Sequence, residues 1–385
     1  MPIALLAGAF GQGNLGDDAL LQAFVRALPE WQLRVTTADP AAAEQVDCEP
    51  VPARRPAAVA AAAGAADAIL VGGGTVFKTL HPSSGRRPHA LLANTSALVA
   101  VSSALHRPVA MVGVGAGRLD GRRARALSRF IVKHADLLVL RDEESAAEMF
   151  CSDIPGPFRI GADPAWTLVA PPDRAPAAHD GAVRVVPSHL ANGAGGWAAM
   201  VDRLADTLDR LLSMGLAVEL QSWQHADGST EWDDGAIVGA LVDRLGPSVE
   251  VVPTPTSMEA AVESMIGTGT VLSFRFHALI AAAAAGVPTV AVTHEAKLGA
   301  LARRLEQRAA PVDFEPALLA AQVATAIEAP GPPPAAIKEQ IARAEEGFAL
   351  LRVLLGGGRS EESDSLGALP LAPIPRSSAS PTRVR

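Results

Sequence analysis

Arg275 and His277 lie in the stretch Ser273-Phe274-Arg275-Phe276-His277, where a short apolar run at 269–272 gives way to an alanine-rich stretch at 278–285. The run reads as a buried strand and the stretch as a helix, so a guanidinium and a titratable ring fall where a strand ends and a helix begins. In an open α/β sheet that is where ligands bind. Unpaired backbone N–H groups at a helix N-terminus add their own attraction for an anion such as phosphate or carboxylate. A structural role fits the same residues, with Arg275 paired to a nearby carboxylate and His277 opening a core helix. Arg141 stands just past another predicted strand, 137–140, with Asp142 beside it, a second crevice position.

Another candidate is Gly11-Gln12-Gly13-Asn14-Leu15-Gly16, a G-x-G-x-x-G pattern between an apolar strand at 3–8 and a helix predicted over 17–28. Asp39 ends the following strand, where a ribose-binding acid would lie, so a dinucleotide site has to be weighed. Against it, Asp17 and Asp18 follow the last glycine directly, and two carboxylates there would crowd a pyrophosphate. As acids in the first turn of a helix they are favourable without any ligand. Gly73 and Gly74 follow a further strand, 68–71, and let backbone or ligand approach the sheet edge closely.

The elements that must position these residues alternate. Strand-like runs at 3–8, 33–37, 68–71, 109–114 and 137–140 are separated by helical or alanine-rich segments, which predicts a doubly wound parallel sheet. A Pro-rich stretch then reads as a linker, 171–182, dividing a first Rossmann-like domain, 1–170, from a second, 183–330. Strands at 183–186, 217–221, 249–252, 270–272 and 289–292 repeat the plan. Two α/β domains facing a cleft are expected, with ligands in the cleft. Beyond them an amphipathic helix within 331–355 aligns Ile337, Ile341, Phe348 and Leu351 and is expected to pack, the first domain being one candidate surface. Residues 356–385 are rich in Gly, Ser and Pro without periodicity and are expected to be disordered.

Of 385 residues, 49% are hydrophobic and 19% charged, the balance of a globular chain with large cores. A formal charge of −8 argues against a general nucleic-acid binder. Two cysteines, Cys48 and Cys151, supply neither a disulfide framework nor a thiolate metal site, which points to a reducing, cytoplasmic setting. The apolar N-terminus runs straight into the glycine loop and reads as a first strand instead of a signal peptide. The nine histidines show no metal-ligand spacing, so no metal is expected. Arg122, Arg125, Arg129 and Lys133 recur at helical spacing; they form either a solvated face or a peripheral contact with anionic lipid.

Taken in order, several of these motifs resemble the polysaccharide pyruvyl transferase family. The resemblance runs through the Gly8–Leu21 signature, Leu70-Val71-Gly72-Gly73-Gly74, Leu140-Arg141-Asp142-Glu143-Glu144-Ser145, Asp163-Pro164-Ala165, and Arg275-Phe276-His277-Ala278 with Gly286-Val287-Pro288 and Lys297. It spans residues 8–297. It implies a GT-B-like pair of Rossmann-like domains and transfer of pyruvate from phosphoenolpyruvate to a sugar as a ketal, with no other cofactor. It also implies that Arg141, His277 and Lys297 serve donor binding or catalysis, with Arg275 in the Arg-x-His motif. Three positions depart from the family pattern: Ala9 stands where an aromatic is common, Phe276 replaces an aliphatic, and His294 stands where tyrosine is frequent.

Chemistry agrees with that implication. Phosphoenolpyruvate carries a carboxylate and a phosphate, which Arg141, Arg275 and Lys297 suit as fork and point-charge cations. His277 is the candidate acid that protonates the donor's methylene carbon, and Asp17 the candidate base for the acceptor hydroxyl. Gly11, Gly13, Asn14, Gly73, Gly74 and Asp163 complete the expected substrate-binding set. The acceptor is a free sugar or a lipid-linked oligosaccharide of the cell envelope or an exopolysaccharide, met at the inner face of the membrane in the lipid-linked case. The alternative is a GT-B glycosyltransferase that uses a nucleotide sugar, since fold does not fix chemistry.

Overall fold

The computed structural model describes residues 1–81, 85–172, 181–191, 193, 195–225 and 233–356. The first half alternates as β1 (Ile3–Phe10), α1 (Leu15–Ala27), β2 (Gln32–Thr37), α2 (Pro40–Glu44), β3 (Glu49–Pro52), α3 (Pro56–Ala65), β4 (Ala68–Gly72), β5 (Thr75–Phe77), α4 (Ala90–Ala104), β6 (Val109–Ala116), α5 (Gly121–His134), β7 (Leu137–Leu140), α6 (Glu143–Cys151) and β8 (Arg159–Ile160). Its strands lie in the order β3-β2-β1-β4-β6-β7-β8, with β5 joined to β6. The second half runs β9 (Val183–Val186), α7 (Gly196–Ser213), β10 (Val218–Leu220), α8 (Asp234–Leu245), β11 (Val249–Val251), α9 (Met258–Met265), β12 (Thr270–Ser273), α10 (Phe276–Ala284), β13 (Thr289–Thr293), α11 (Ala296–Arg304), β14 (Arg308–Pro311) and α12 (Pro316–Ile327). Its order is β11-β10-β9-β12-β13-β14.

Every strand pairing in both sheets is parallel. Central strands buried on both faces are mostly apolar: β4 is apolar throughout, whereas β9 carries the buried Arg184, whose Nε donates to Glu219 of β10 (2.6 Å). The chain is therefore two doubly wound domains. Strand order reverses between β1 and β4 in one sheet and between β9 and β12 in the other, and the carboxyl ends at those reversals open the ligand crevice. Four strands, β3, β5, β8 and β14, have no counterpart in the sequence-based expectation. They are two to four residues long, and β3 and β14 end in proline, which a sheet tolerates at its edges.

The core falls into three clusters, and the largest crosses between the domains. Leu20 and Phe24 of α1 share it with Met258 and Met265 of α9, the alanines of α10, Trp166 and Trp223. Small side chains along α10 let the helices approach closely. The helix α13 (Pro334–Leu355) returns to the first domain, where Phe348 meets Phe24 edge-on with ring centroids 5.1 Å apart.

Backbone contacts reinforce this junction. His225 N–H donates to the Gly13 carbonyl (3.0 Å), Leu15 N–H to the Trp223 carbonyl (3.3 Å), and Asn14 forms an antiparallel bridge with Gln224. Gly13 has φ +66°, and a Cβ there would lie 1.8 Å from the His225 carbonyl oxygen, so only glycine allows the two loops to meet. The expected linker, 171–182, falls largely on residues outside those described, as does nearly all of the expected disordered tail, 356–385. Phe24→Ala removes a fully buried ring shared by α1 and α13 and is expected to cost about 3–5 kcal/mol of stability, read from urea denaturation.

Candidate active site

The N-terminus of α10 enters the crevice from the second domain. Arg275 occupies the N-cap position in extended geometry, with no side chain capping the helix. Its Nε donates to Asp234 Oδ2 (2.9 Å) and its Nη2 to Asp234 Oδ1 (2.5 Å), while His189 N–H also donates to Oδ1 (3.1 Å). Burial works to raise the Asp234 carboxyl, but Arg275 and the His189 hydrogen bonds hold it below the usual carboxylate range. Of the two roles open to Arg275, the geometry realises the pairing with a carboxylate. Because the pair is buried, loss of one partner would strand the other charge.

Arg141, at the end of β7, is almost wholly buried. Its Nε bonds Asp142 Oδ2 (3.1 Å), its Nη1 lies 3.6 Å from Asp163 Oδ2, and its Nη2 reaches Thr75 Oγ1 (3.4 Å). The guanidinium carbon sits 5.0 Å from the centre of the Phe276 ring. Asp163 is itself buried and caps the tight turn Pro164–Leu168 through Ala165 N–H (3.1 Å). Its other contact is His277, whose Nε2 lies 3.5 Å from Asp163 Oδ1. Burial pushes the Asp163 carboxyl up, yet His277 and Arg141 hold it below the usual range. Asp163, expected to bind substrate, is thus placed to orient His277 and Arg141. Gly16 makes room for the imidazole: a Cβ there would fall 2.0 Å from His277 Nδ1.

Asp17 stands across from His277 at the start of α1. Asn14 caps that helix, its Oδ1 accepting from Gly16 N–H (3.1 Å) and its Nδ2 donating to Asp17 Oδ2 (2.9 Å). Burial raises the Asp17 carboxyl despite His277, Lys297 and Arg275 nearby. A carboxyl shifted in that direction is a better proton acceptor than an ordinary aspartate. Lys297, in the first turn of α11, has its Nζ 5.9 Å from the Phe276 ring centre and 2.5 Å from Glu295 Oε2. Phe276 is therefore a shared floor under Arg141 and Lys297. Where the family uses an aliphatic residue, the ring face adds its own attraction for cations.

The glycine loop does not present a free helix terminus. N–H groups of Leu15, Gly16, Asp17 and Asp18 find internal acceptors, and Gly11 N–H donates to Asp18 Oδ1 (3.0 Å). A pyrophosphate would have to displace them, which removes the physical basis of the dinucleotide alternative. Gly11 and Gly13 serve the loop and its docking, and Gly73 and Gly74 turn the chain from β4 into β5 with φ +69°. Among the described residues no cluster of three or more His, Cys, Asp and Glu is placed to hold a metal ion. Four further side chains of the site lie outside the sequence motifs: Lys78, His189, Asp234 and Glu295. Lys78 follows a glycine-rich strand end and Glu295 neighbours Lys297, which are usable signals. Asp234 lies 41 residues from Arg275 and gave none.

Residues 14–295 match the family model for polysaccharide pyruvyl transferase. The chain belongs to the polysaccharide pyruvyl transferase family. No curated protein matches it in sequence. Among solved structures, UDP-GlcNAc 2-epimerase from Neisseria meningitidis bound to UDP-GlcNAc is similar at a TM-score of 0.60 and 10% identity, covering 93% of this chain and 100% of that one. The Methanocaldococcus jannaschii UDP-GlcNAc 2-epimerase in complex with UDP-GlcNAc and UDP gives 0.59 and 10% over the same shares. The Anabaena protein HepE in complex with UDP-glucose gives 0.55 and 14%, covering 96% of this chain and 100% of that one. At such identities the likeness is one of fold, a GT-B-like pair of domains, in which this pyruvyl transferase family member places Arg141, His277 and Lys297 around one crevice.

His294, where the family often has tyrosine, lies at the crevice with Nδ1 buried and without a hydrogen-bond partner among the described residues. Burial pushes its pKa down to about 4, with Lys297 and Arg275 acting in the same direction. The folded protein keeps the ring neutral while the unfolded chain takes up a proton near the ordinary value of 6.5, so stability falls as pH drops from about 6.5 to about 4. Unfolding midpoints followed from neutral pH into that window should fall less for His294→Asn than for the wild type.

Proposed function

We propose that this protein transfers pyruvate from phosphoenolpyruvate onto a sugar as a ketal. The observation that carries the proposal is the convergence of Arg141, His277, Lys297 and Asp17, from four different elements, on one crevice. The α10 and α11 N-termini enter it without capping side chains. Two helix termini and a group of cations suit a donor bearing both carboxylate and phosphate.

In this reading protonated His277 gives its proton to the methylene carbon of the donor, which makes the adjacent carbon electrophilic. Asp163 and Gly16 fix the ring in place. Asp17 takes the proton of the attacking sugar hydroxyl, the hydroxyl oxygen bonds to the electrophilic carbon, and phosphate leaves with the electrons of the C–O bond. A second hydroxyl of the same sugar then adds to the oxocarbenium carbon left behind, gives its proton to the now neutral His277, and closes the ketal. The products are the pyruvylated sugar and inorganic phosphate. Arg275, held by Asp234, supports the site electrostatically and anchors the start of α10.

His277→Ala is expected to abolish phosphate release from phosphoenolpyruvate plus acceptor while leaving donor binding largely intact; near-normal turnover would remove His277 from the acid role. Thermal shift with phosphoenolpyruvate, UDP-sugars and NAD separates the alternatives, because a ligand that binds only the native state raises apparent stability. Stabilisation by a UDP-sugar and not by phosphoenolpyruvate would favour the nucleotide-sugar enzymes that share the fold.

The acceptor in this proposal is a sugar or lipid-linked oligosaccharide destined for the cell envelope or an exopolysaccharide, met at the inner face of the membrane. Among the described residues no helix is long and apolar enough to cross a membrane, so contact would be peripheral. On α5, Arg122 and Lys133 are exposed and Arg125 is half-buried, whereas Arg129 is taken up by Asp153. Reversing Arg122, Arg125 and Lys133 to glutamate should reduce sedimentation with anionic vesicles at low salt; equal sedimentation would make the stripe a solvated face only.

A further inference from the structure

The charges around the crevice do not balance in favour of Arg141 as the holder of the donor's phosphate. Asp142 and Asp163 both lie against its guanidinium, so two carboxylates already neutralise one cation. Arg275 is likewise matched by Asp234. Among the described residues, two further cations at the crevice are Lys297 and a residue of the first domain, Lys78, which follows β5. Glu295 sits between them. Its Oε2 is 2.5 Å from Lys297 Nζ, and its Oε1 is 3.8 Å from Lys78 Nζ. The three side chains are about one-quarter to one-third exposed, so all are reachable from the crevice.

The two halves of this bridge are unequal. Glu295 is close to Lys297 and loose to Lys78, and an ammonium has three donors to satisfy. Burial disfavours the charged form of Lys78, with Lys297 and Arg141 opposing it further, while Glu295 and Asp17 favour it. Glu295 is the N-cap of α11 yet makes no capping hydrogen bond, so it is not anchored to the helix it precedes. A carboxylate whose ion pairs among the described residues are with two lysines stands where a phosphate would satisfy both lysines and the open helix terminus together.

We infer that Lys78 and Lys297, one from each domain, form the phosphate-binding pair of the donor site, with Glu295 as a resident counter-ion that the phosphate displaces. The inference rests on the proposed donor and adds a residue and a partner exchange to it. Lys78 then binds ground state and transition state alike, so its loss acts on KM far more than on kcat. Glu295 keeps the lysines spaced in the empty site and lowers phosphate affinity by competition. Because the lysines come from separate domains, phosphate also ties the two domains together.

The test uses the full chain with phosphoenolpyruvate and, separately, inorganic phosphate, titrated calorimetrically at two salt concentrations. Lys78→Met should weaken both ligands by about tenfold or more, the scale of a lost hydrogen bond to a charged group. It should also flatten the salt dependence, and Lys78→Arg should restore most of both. Glu295→Gln should tighten inorganic phosphate. Thermal midpoints check that each variant is folded. Wild-type affinity for both ligands in folded Lys78→Met overturns the inference while leaving the donor proposal standing. Lys78-dependent binding of inorganic phosphate by a protein that ignores phosphoenolpyruvate keeps the phosphate site and removes the donor. If the wild type binds neither, both fall.

Discussion

A buried carboxylate, Asp163, lies between a guanidinium of the first domain and an imidazole of the second. A charge held so deep is costly unless it is paired, and here Arg141 and His277 supply the pairing from opposite sides. Much else follows from this constraint. Arg141 has to reach down from β7, α10 has to begin where His277 meets Asp163, and Gly16 has to lack a side chain so that the ring fits. Chemistry and domain assembly therefore share one set of contacts.

The apolar core has the same logic. Leu20 and Phe24 of α1 are buried against α9, α10 and α13, so the helix that carries Asp17 is held by both domains and by the last helix of the described chain. Removing that surface from water provides the nondirectional part of the stabilisation. The Gly13–His225 and Leu15–Trp223 hydrogen bonds then fix the register. The proposed base, Asp17, and the proposed acid, His277, lie on different domains and would need that register, because proton transfer tolerates little misplacement.

Electrostatically the crevice is a set of matched pairs with one loose end. Asp234 with Arg275, and Asp142 with Arg141, are closed units. Lys78, Glu295 and Lys297 are more exposed and incompletely bonded, and that is where an incoming anion exchanges partners at lowest cost. The net charge of −8 says nothing of this, because a local arrangement of four or five groups outweighs distant, screened charges.

Alternation of apolar runs with helical segments determined the two parallel sheets, since strands covered on both faces are predominantly apolar and are joined by helical crossovers. Motif order further determined Arg141, His277 and Lys297 as one group. Short edge strands such as β3 and β14 escaped because pairing, not pattern, holds them in place. Only the tertiary structure decided which cation meets which anion: that Arg275 closes on Asp234, that Asp163 lies between Arg141 and His277, and that Lys78 reaches Glu295 across the domains. Those pairings join residues far apart in sequence, and no local propensity encodes a distance between two domains. The glycines make the same point, because the spacing of Gly11, Gly13 and Gly16 is legible in the sequence, whereas their use for docking a loop and seating His277 depends on what lies against them.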